Sequence, residues 1–214
     1  MAGNIQTILK DPLLDLSPQA TWDQIEFQTN SYLDLLVKWN QKINLTSEKS
    51  NEDILKRHIF DSLQYARVVP PDSRIMDIGS GAGFPGIPLK IVYPQLVAIL
   101  VESQRKRCSF LEAVVRELNL KNIKIINERA EKLSPDPMGK IDIVLFRAVS
   151  DINSCLDLGV RFLAEKGKII LKKGPDEHIE VMQPLRGFSL DQEIIVTGLN
   201  QKRSSLLVFE KCFT

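Results

Sequence analysis

One run of residues carries chemistry in its order alone: Asp77-Ile78-Gly79-Ser80-Gly81-Ala82-Gly83-Phe84-Pro85-Gly86. Four glycines fall within eight positions. Glycine permits positive φ and lets a ligand approach the backbone, so this is a loop built to hold something. Glu102 follows 23 residues after Gly79. An acidic side chain there can accept from both hydroxyls of a ribose. Gly81, Gly83 and Gly86 also fit the dinucleotide spacing G-x-G-x-x-G, so a nicotinamide oxidoreductase is the obvious rival.

Three features weigh against a dinucleotide. A pyrophosphate sits on backbone N–H groups at a helix start, and Pro85 and Pro88 each remove one donor there. Asp77 stands two residues before the first glycine, where its carboxylate opposes an anion. The end of the chain reads as a strand hairpin, which is foreign to a doubly wound dinucleotide domain. S-adenosylmethionine fits better: it has no phosphate and carries a sulfonium and an ammonium group.

The elements that must position this loop follow from periodicity. Trp22, Ile25, Tyr32, Leu33, Leu36 and Val37 have helical spacing, and Ile54, Leu55, Ile59 and Leu63 mark a second helix. Ser50, with Asp53 three residues on, resembles a capping box at its start. After Pro70-Pro71 strands alternate with helices. Strands are predicted at 74–78, 97–101, 123–126, 141–146 and 169–171, and helices at 86–93, 104–118 and from Asp151 to Phe162. Strands at 193–197 and 206–210 then read as an antiparallel hairpin. The expected fold is α/β: a Rossmann-like, mostly parallel sheet over 71–214, with a helical extension over 1–70 packed on it.

Composition sets the remaining bounds. The 214 residues are 43% hydrophobic and 26% charged, with a net charge of +1, so no global field announces nucleic acid or membrane. Any grip on RNA must be local. Residues 1–73 hold 7 basic and 10 acidic side chains, and the remainder is net +4, so the helical part is not expected to be a general phosphate grip. Cys108, Cys155 and Cys212 lack metal or redox spacing, and with only His58 and His178 no metal site is expected. The N-terminus has no signal-peptide pattern. The apolar stretch 91–101 is broken by Pro94 and too short to span a bilayer. A cytoplasmic monomer is expected.

Several segments together resemble one family. They are Trp39-Asn40, Asn44-Leu45-Thr46, Arg57-His58-Ile59-Phe60-Asp61-Ser62-Leu63, Asp77 to Pro88, Lys106-Arg107, Phe110-Leu111, Arg129-Ala130-Glu131, Arg147-Ala148 and Lys173-Gly174. In this order they resemble the bacterial small-subunit ribosomal RNA methyltransferase G family, also called GidB. The resemblance implies a class I methyltransferase fold, S-adenosylmethionine as donor, and 16S rRNA or the small ribosomal subunit as partner. It implies methylation of N7 of one guanine near the decoding centre. By similarity Gly79 and Phe84 contact the cofactor, Ala130 and Glu131 lie beside its adenine, and Arg147 faces the reaction site. Asp77, Gly81, Gly83 and Glu102 complete the expected cofactor set.

The residues near the fourth strand are consistent with that chemistry. Adenine amino methylation usually uses Asn or Asp with Pro-Pro and an aromatic, whereas the sequence here is Arg147-Ala148-Val149-Ser150. Cytosine C5 methylation needs a cysteine nucleophile, and Cys155 reads as a packing residue. Guanine N7 has an in-plane lone pair and loses no proton, so no general base is needed. Arg147 is expected to position, bonding O6 or a phosphate. Arg57, His58, Lys106, Arg107, Lys173 and Arg203 are the candidate RNA contacts. For His58 the plain alternative is a bond to Asp61 across one helical turn. Trp22, Tyr32 and Trp39 are expected in the core. Other readings stay open: a same-fold methyltransferase for a small molecule or protein, and a non-catalytic RNA-binding module.

Overall fold

The computed structural model describes residues 5–135, 139–147, 151–174 and 187–212. Ala148 to Ser150 and His178 therefore lie outside the described residues. One seven-stranded sheet organises the chain, in the order β3-β2-β1-β4-β5-β7-β6. Its strands are β1 (Arg74–Ile78), β2 (Val97–Val101), β3 (Ile123–Ile126), β4 (Ile141–Arg147), β5 (Leu163–Lys173), β6 (Phe188–Thr197) and β7 (Arg203–Lys211). The first five run parallel, and β7 lies antiparallel between β5 and β6. The helices are α1 (Ile5–Leu9), α2 (Trp22–Ile43), α3 (Asn51–Ile54), α4 (Phe60–Leu63), α5 (Gly86–Val92), α6 (Arg105–Glu117) and α7 (Ile152–Gly159).

Alternation along the strands builds two cores. Ile75, Leu100, Ile143, Leu145, Ile170, Leu206 and Val208 face one side, together with Leu33 and Leu36 of α2, Leu63 of α4, Ile87 of α5 and Leu111 of α6. Met76, Ile99, Val101, Val144, Phe146, Ile169, Leu171 and Phe209 face the other, with Cys155 and Leu156 of α7. The period of two explains the split, because successive side chains leave opposite faces of a strand. The first 70 residues thus share a core with α5 and α6.

Most predicted elements hold their places, and the exceptions have physical reasons. The last strand pair is the expected antiparallel hairpin, longer at both ends. α7 stops at Gly159 rather than Phe162, because the chain turns there, Phe162 N donating to Gly159 O at 3.1 Å. β5 begins at Leu163, well before the apolar core of the strand at 169–171. Glu165, Lys166 and Gly167 hide it in the sequence, and they fall in a register shift: Leu163 pairs with Ile141 and pairing resumes at Lys168 with Ile143. The second predicted helix is one helical stretch with a π-wound middle, Leu55–Ile59, between α3 and α4. Ser50 caps it as expected, its Oγ accepting from Asp53 N at 3.1 Å.

The loop after β1 is braced from beneath. Asp77 is buried, and its Oδ2 accepts from Gly86 N at 3.0 Å. A Cβ on Gly86 would stand 2.4 Å from Leu100 Cδ2 and 2.9 Å from Asp77 Oδ2. Neither neighbour is an exposed chain end, so Gly86→Ala is expected to destabilise the protein by about 1–3 kcal/mol through overpacking. Urea unfolding of the variant checks it, and an unchanged midpoint would refute the tight approach.

Candidate active site

Two clefts open at the carboxyl ends of the strands. The strand order reverses between β1 and β4, the place where open α/β sheets bind ligands. The first cleft has a volume of about 380 Å³ and lies over β1 and β2. Ile78, Gly79, Val101, Glu102, Ala130, Glu131 and Leu158 line it, with Arg107, Glu128 and Arg129. The second, about 430 Å³, lies over β4 and β5, and the segment 48–61 and the β6–β7 turn wall it.

The first cleft joins the glycine loop to the end of β2. Gly79 N donates to Val101 O at 2.9 Å, which ties the loop to β2. Glu102 is buried there; its Oε2 accepts from Gly81 N at 3.0 Å and its Oε1 from Gln104 N at 2.7 Å. Oε2 keeps a lone pair, and the bond from Ser103 Oγ to Oε1 is long at 3.5 Å, so ribose hydroxyls can still bind. Gly83 holds φ +95, a value that favours glycine.

Asp77 does not stand opposite the ligand as a counter-charge, the place its position before the glycines suggested. It lies under the loop, hung on Gly86 N, and its buried Oδ1 has no hydrogen-bond partner. Burial raises its carboxyl to about 7, against the bond from Gly86 and the charge of Arg147, which lower it. The helix start is equally informative. The N–H of Gly86 is consumed by Asp77, and Pro85 has none to give. No donor set for a pyrophosphate remains at the start of α5, while the cleft is lined with Glu102, Glu128 and Glu131. This donor set fits S-adenosylmethionine, with Glu102 for the ribose and Ile78, Ala130 and Leu158 as apolar wall for an adenine.

The second cleft gathers Arg57, His58, Arg147, Lys173 and Arg203, as their sequence pattern suggested, and adds Lys56, Lys172 and Lys202. Glu48 and Asp61 are its two carboxylates. Lys106 and Arg107 are not part of it. Arg107 lines the first cleft, 3.8 Å from Glu102, and Lys106 is exposed in the first turn of α6. The helical segment 1–73, net acidic in sequence, nevertheless contributes Lys56 and Arg57 to the basic cleft.

Arg147 ends β4 with its side chain 19% exposed. Its Nη2 donates to Asp61 Oδ2 at 3.1 Å, to His58 Nδ1 at 3.1 Å and to Arg57 O at 3.4 Å. The π-wound turn supplies that carbonyl, and π turns often mark functional positions. Lys172 donates to the other oxygen of Asp61. His58 does not bond Asp61; both converge on Arg147 from the same turn. The imidazole stacks on Phe84 at 4.9 Å with planes 13° apart, and the guanidinium carbon lies 5.3 Å from the same ring. Phe84 thus packs between the loop and the polar cluster.

Sequence reasoning missed what holds this cluster. Asn40 Nδ2 donates to Thr46 O and Glu48 O, both at 2.9 Å, and its Oδ1 accepts from the N–H groups of Leu45 and Thr46. That pins Glu48, whose Oε1 accepts from Arg57 at 2.7 Å and whose Oε2 meets His58 Nε2 at 2.6 Å. The segments Trp39-Asn40 and Asn44-Leu45-Thr46 were the available signal. Tyr32 is buried in the core, as expected. Cys155 is buried too, with its thiol pushed up to about 12, which leaves it un-ionised and inert as a nucleophile. Among the described residues no cluster of three His, Cys, Asp or Glu could hold a metal ion.

This fold, with a buried glutamate at the end of β2 and an occupied helix start, defines a class I S-adenosylmethionine-dependent methyltransferase. Solved structures share the fold. M. jannaschii TYW2 in complex with AdoMet matches with a TM-score of 0.56 at 17% identity, over 72% of this chain and 76% of that one. The tRNA methyltransferase TrmK of B. subtilis matches with a TM-score of 0.57 at 18% identity, over 73% and 66%. The family model for rRNA small subunit methyltransferase G matches residues 25–206. The Ribosomal RNA small subunit methyltransferase G of Mesoplasma florum is 42% identical over 84% of this chain and 75% of its own. That of Francisella philomiragia is 37% identical over 95% and 97%. The chain belongs to the rRNA small subunit methyltransferase G family.

Glu102→Gln removes the charge but keeps one acceptor for Gly81. Hydrogen bonds to charged groups contribute about 1.5–3 kcal/mol, so S-adenosylmethionine affinity is expected to fall on the order of 10–100-fold. Isothermal titration calorimetry measures this, and unaltered affinity would remove Glu102 from the cofactor site.

Proposed function

We propose that this chain methylates N7 of a guanine in 16S rRNA near the decoding centre, with S-adenosylmethionine as donor and as a cytoplasmic monomer. When bound, that cofactor supplies an electrophilic methyl group. Among the described residues, no helix is long and apolar enough to cross a membrane. The residues of the cleft are read as holding the RNA and excluding water from the reacting atoms.

One observation carries the choice of atom. Among the described residues, every group in the basic cleft that could act as a general base is already engaged. His58 uses Nδ1 toward Arg147 and Nε2 toward Glu48. Glu48 is committed to Arg57 and His58, and Asp61 to Arg147 and Lys172. An exocyclic amine must lose a proton during methylation, whereas guanine N7 does not. A site that orients without deprotonating therefore favours N7. Arg147, held by three acceptors, is the positioning group, and Arg57, His58, Lys173 and Arg203 are the RNA-facing ones. Gly79, Gly81, Phe84, Glu102, Ala130 and Glu131 are assigned to the cofactor. Asp77 and Gly83 shape the loop.

Nucleoside mass spectrometry of 16S rRNA tests this reading. A deletion strain is expected to lack one 7-methylguanosine, and the returned gene to restore it. An unchanged 7-methylguanosine count would overturn the assignment of base and atom. A methylated small molecule or protein as product would instead favour the other same-fold reading.

The basic cleft makes its own prediction. Lys202→Gln and Arg203→Gln together are expected to weaken RNA binding and to flatten its salt dependence by about 0.7–0.9 in log–log slope per lost phosphate contact. Filter binding over a salt series measures it. An unaltered slope would move the RNA elsewhere on the surface.

A further inference from the structure

The carboxylate of Glu48 is linked to the end of β4 through His58. Its side chain is 8% exposed and lies at the back of the basic cleft. The geometry around His58 fixes where its proton sits. The partner of Nδ1 is the Arg147 guanidinium, which can only donate. Nδ1 must therefore be bare, and the proton lies on Nε2, facing Glu48 Oε2 at 2.6 Å. We infer that Glu48 and His58 are positioning residues: the carboxylate fixes the imidazole tautomer, and the bare Nδ1 holds the Arg147 guanidinium at the end of β4 beside Phe84. This rests on reading that end of β4 as the place of methyl transfer.

The surroundings make the arrangement sensitive to acid. Thr46 and Glu48 face the ring from the segment after α2, and Arg57 and Asp61 from its own helical stretch. Arg147 faces it from β4, and Phe84 covers one ring face from the glycine loop. Lys172 of β5 reaches only as far as Asp61. Protonating the ring would set an N–H on Nδ1 against the N–H of Arg147, donor against donor and cation against cation. Burial chiefly, with the Arg147 charge, holds the His58 pKa below its ordinary value although Glu48 favours the charged form. Burial opposes ionisation of Glu48, but bonds from Thr46, His58 and Arg57 outweigh it and keep its carboxyl well below the usual range. At neutral pH the ring is thus neutral and Arg147 is held. The hold is lost as pH falls through the lowered His58 pKa.

The test measures methyl transfer to small ribosomal subunits purified without the modification, as kcat and KM across the pH range. The wild-type kcat is expected to decline in acid with an apparent pKa below the ordinary histidine range. His58→Leu removes the acceptor, and misplacing a positioned group is expected to lower kcat on the order of 10–100-fold with KM little changed. His58→Asn puts an amide oxygen near the position of Nδ1. It should recover part of that loss, and its acid decline should vanish because nothing there titrates. Glu48→Gln should shift the acid decline to lower pH, since the carboxylate that favoured the charged ring is gone. If His58→Leu does not fold, His58→Asn and Glu48→Gln carry the test. An acid decline that persists unaltered in His58→Asn, or equal kcat values for the Leu and Asn variants, overturns the inference while leaving the methyltransferase reading intact. A wild-type protein that methylates no ribosomal RNA overturns that reading, and the inference falls with it.

Discussion

A guanidinium that is mostly removed from water is the constraint around which this molecule is arranged. Burying a charge is costly unless it is paired and hydrogen-bonded. Arg147 stands at the end of a central strand, and three of its acceptors come from one helical turn far back in the chain: Arg57 O, His58 Nδ1 and Asp61 Oδ2. Removing one partner of a buried ion pair costs about 3–5 kcal/mol. The cost here is smaller, since Asp61 keeps 23% of its side chain in water. The helical extension is therefore more than a cover on one sheet face. It completes the coordination of a cation that the sheet delivers but cannot satisfy.

That requirement propagates backwards through ordinary hydrogen bonds. Asp61 and His58 face Arg147 only because the turn between α3 and α4 is wide. His58 keeps its orientation because Glu48 and Thr46 hold its outer nitrogen. Glu48 stays put because Asn40, on α2, binds the backbone of Leu45 and Thr46 before it and its own carbonyl. α2 in turn is fixed by apolar burial against α5 and α6. A long amphipathic helix thereby helps to set the position of a guanidinium through the segment that follows it.

What could be read from the sequence, and what could not, divides along the range of the interactions. The glycine loop, Glu102 and the strand ends were legible because period-two alternation and local turn chemistry are written in adjacent residues. Ser50 and Asp151 were legible as caps for the same reason. The partners of Arg147 were not, because its ties run 86 to 90 residues back along the chain. The side of the sheet to which α6 delivers Lys106 and Arg107 was also hidden. Adjacent basic residues there looked like a phosphate grip, but the strand order puts β2 and its following helix on the cofactor side of β1. Asp77 was misplaced for a subtler reason. Its position before the glycines is right, but strand pleating decides which way the carboxylate points, and it points under the loop toward Gly86.

The charge of the molecule follows the same logic. A net charge of +1 and an acidic helical segment argue against an RNA-binding face when charge is summed along the chain. In space, the carboxylates of that segment are not interchangeable. Glu48 and Asp61 turn inward, Glu48 onto Arg57 and the neutral His58 ring and Asp61 onto Arg147 and Lys172, while Lys56 lines the cleft that Lys202 and Arg203 complete from the other end of the chain. Among the described residues, seven Lys and Arg side chains line this cleft with two carboxylates, both engaged in ion pairs. Fields over such a concave surface are local, and at physiological salt they are screened within about 8 Å. A polyanion at the cleft mouth meets the basic lining, and the rest of the nearly neutral surface adds little. Under the proposed function, such a cleft would favour RNA whose shape brings phosphates to Lys202 and Arg203 while a base reaches Arg147, so that a chain with no net basic character could still select one site in a large RNA.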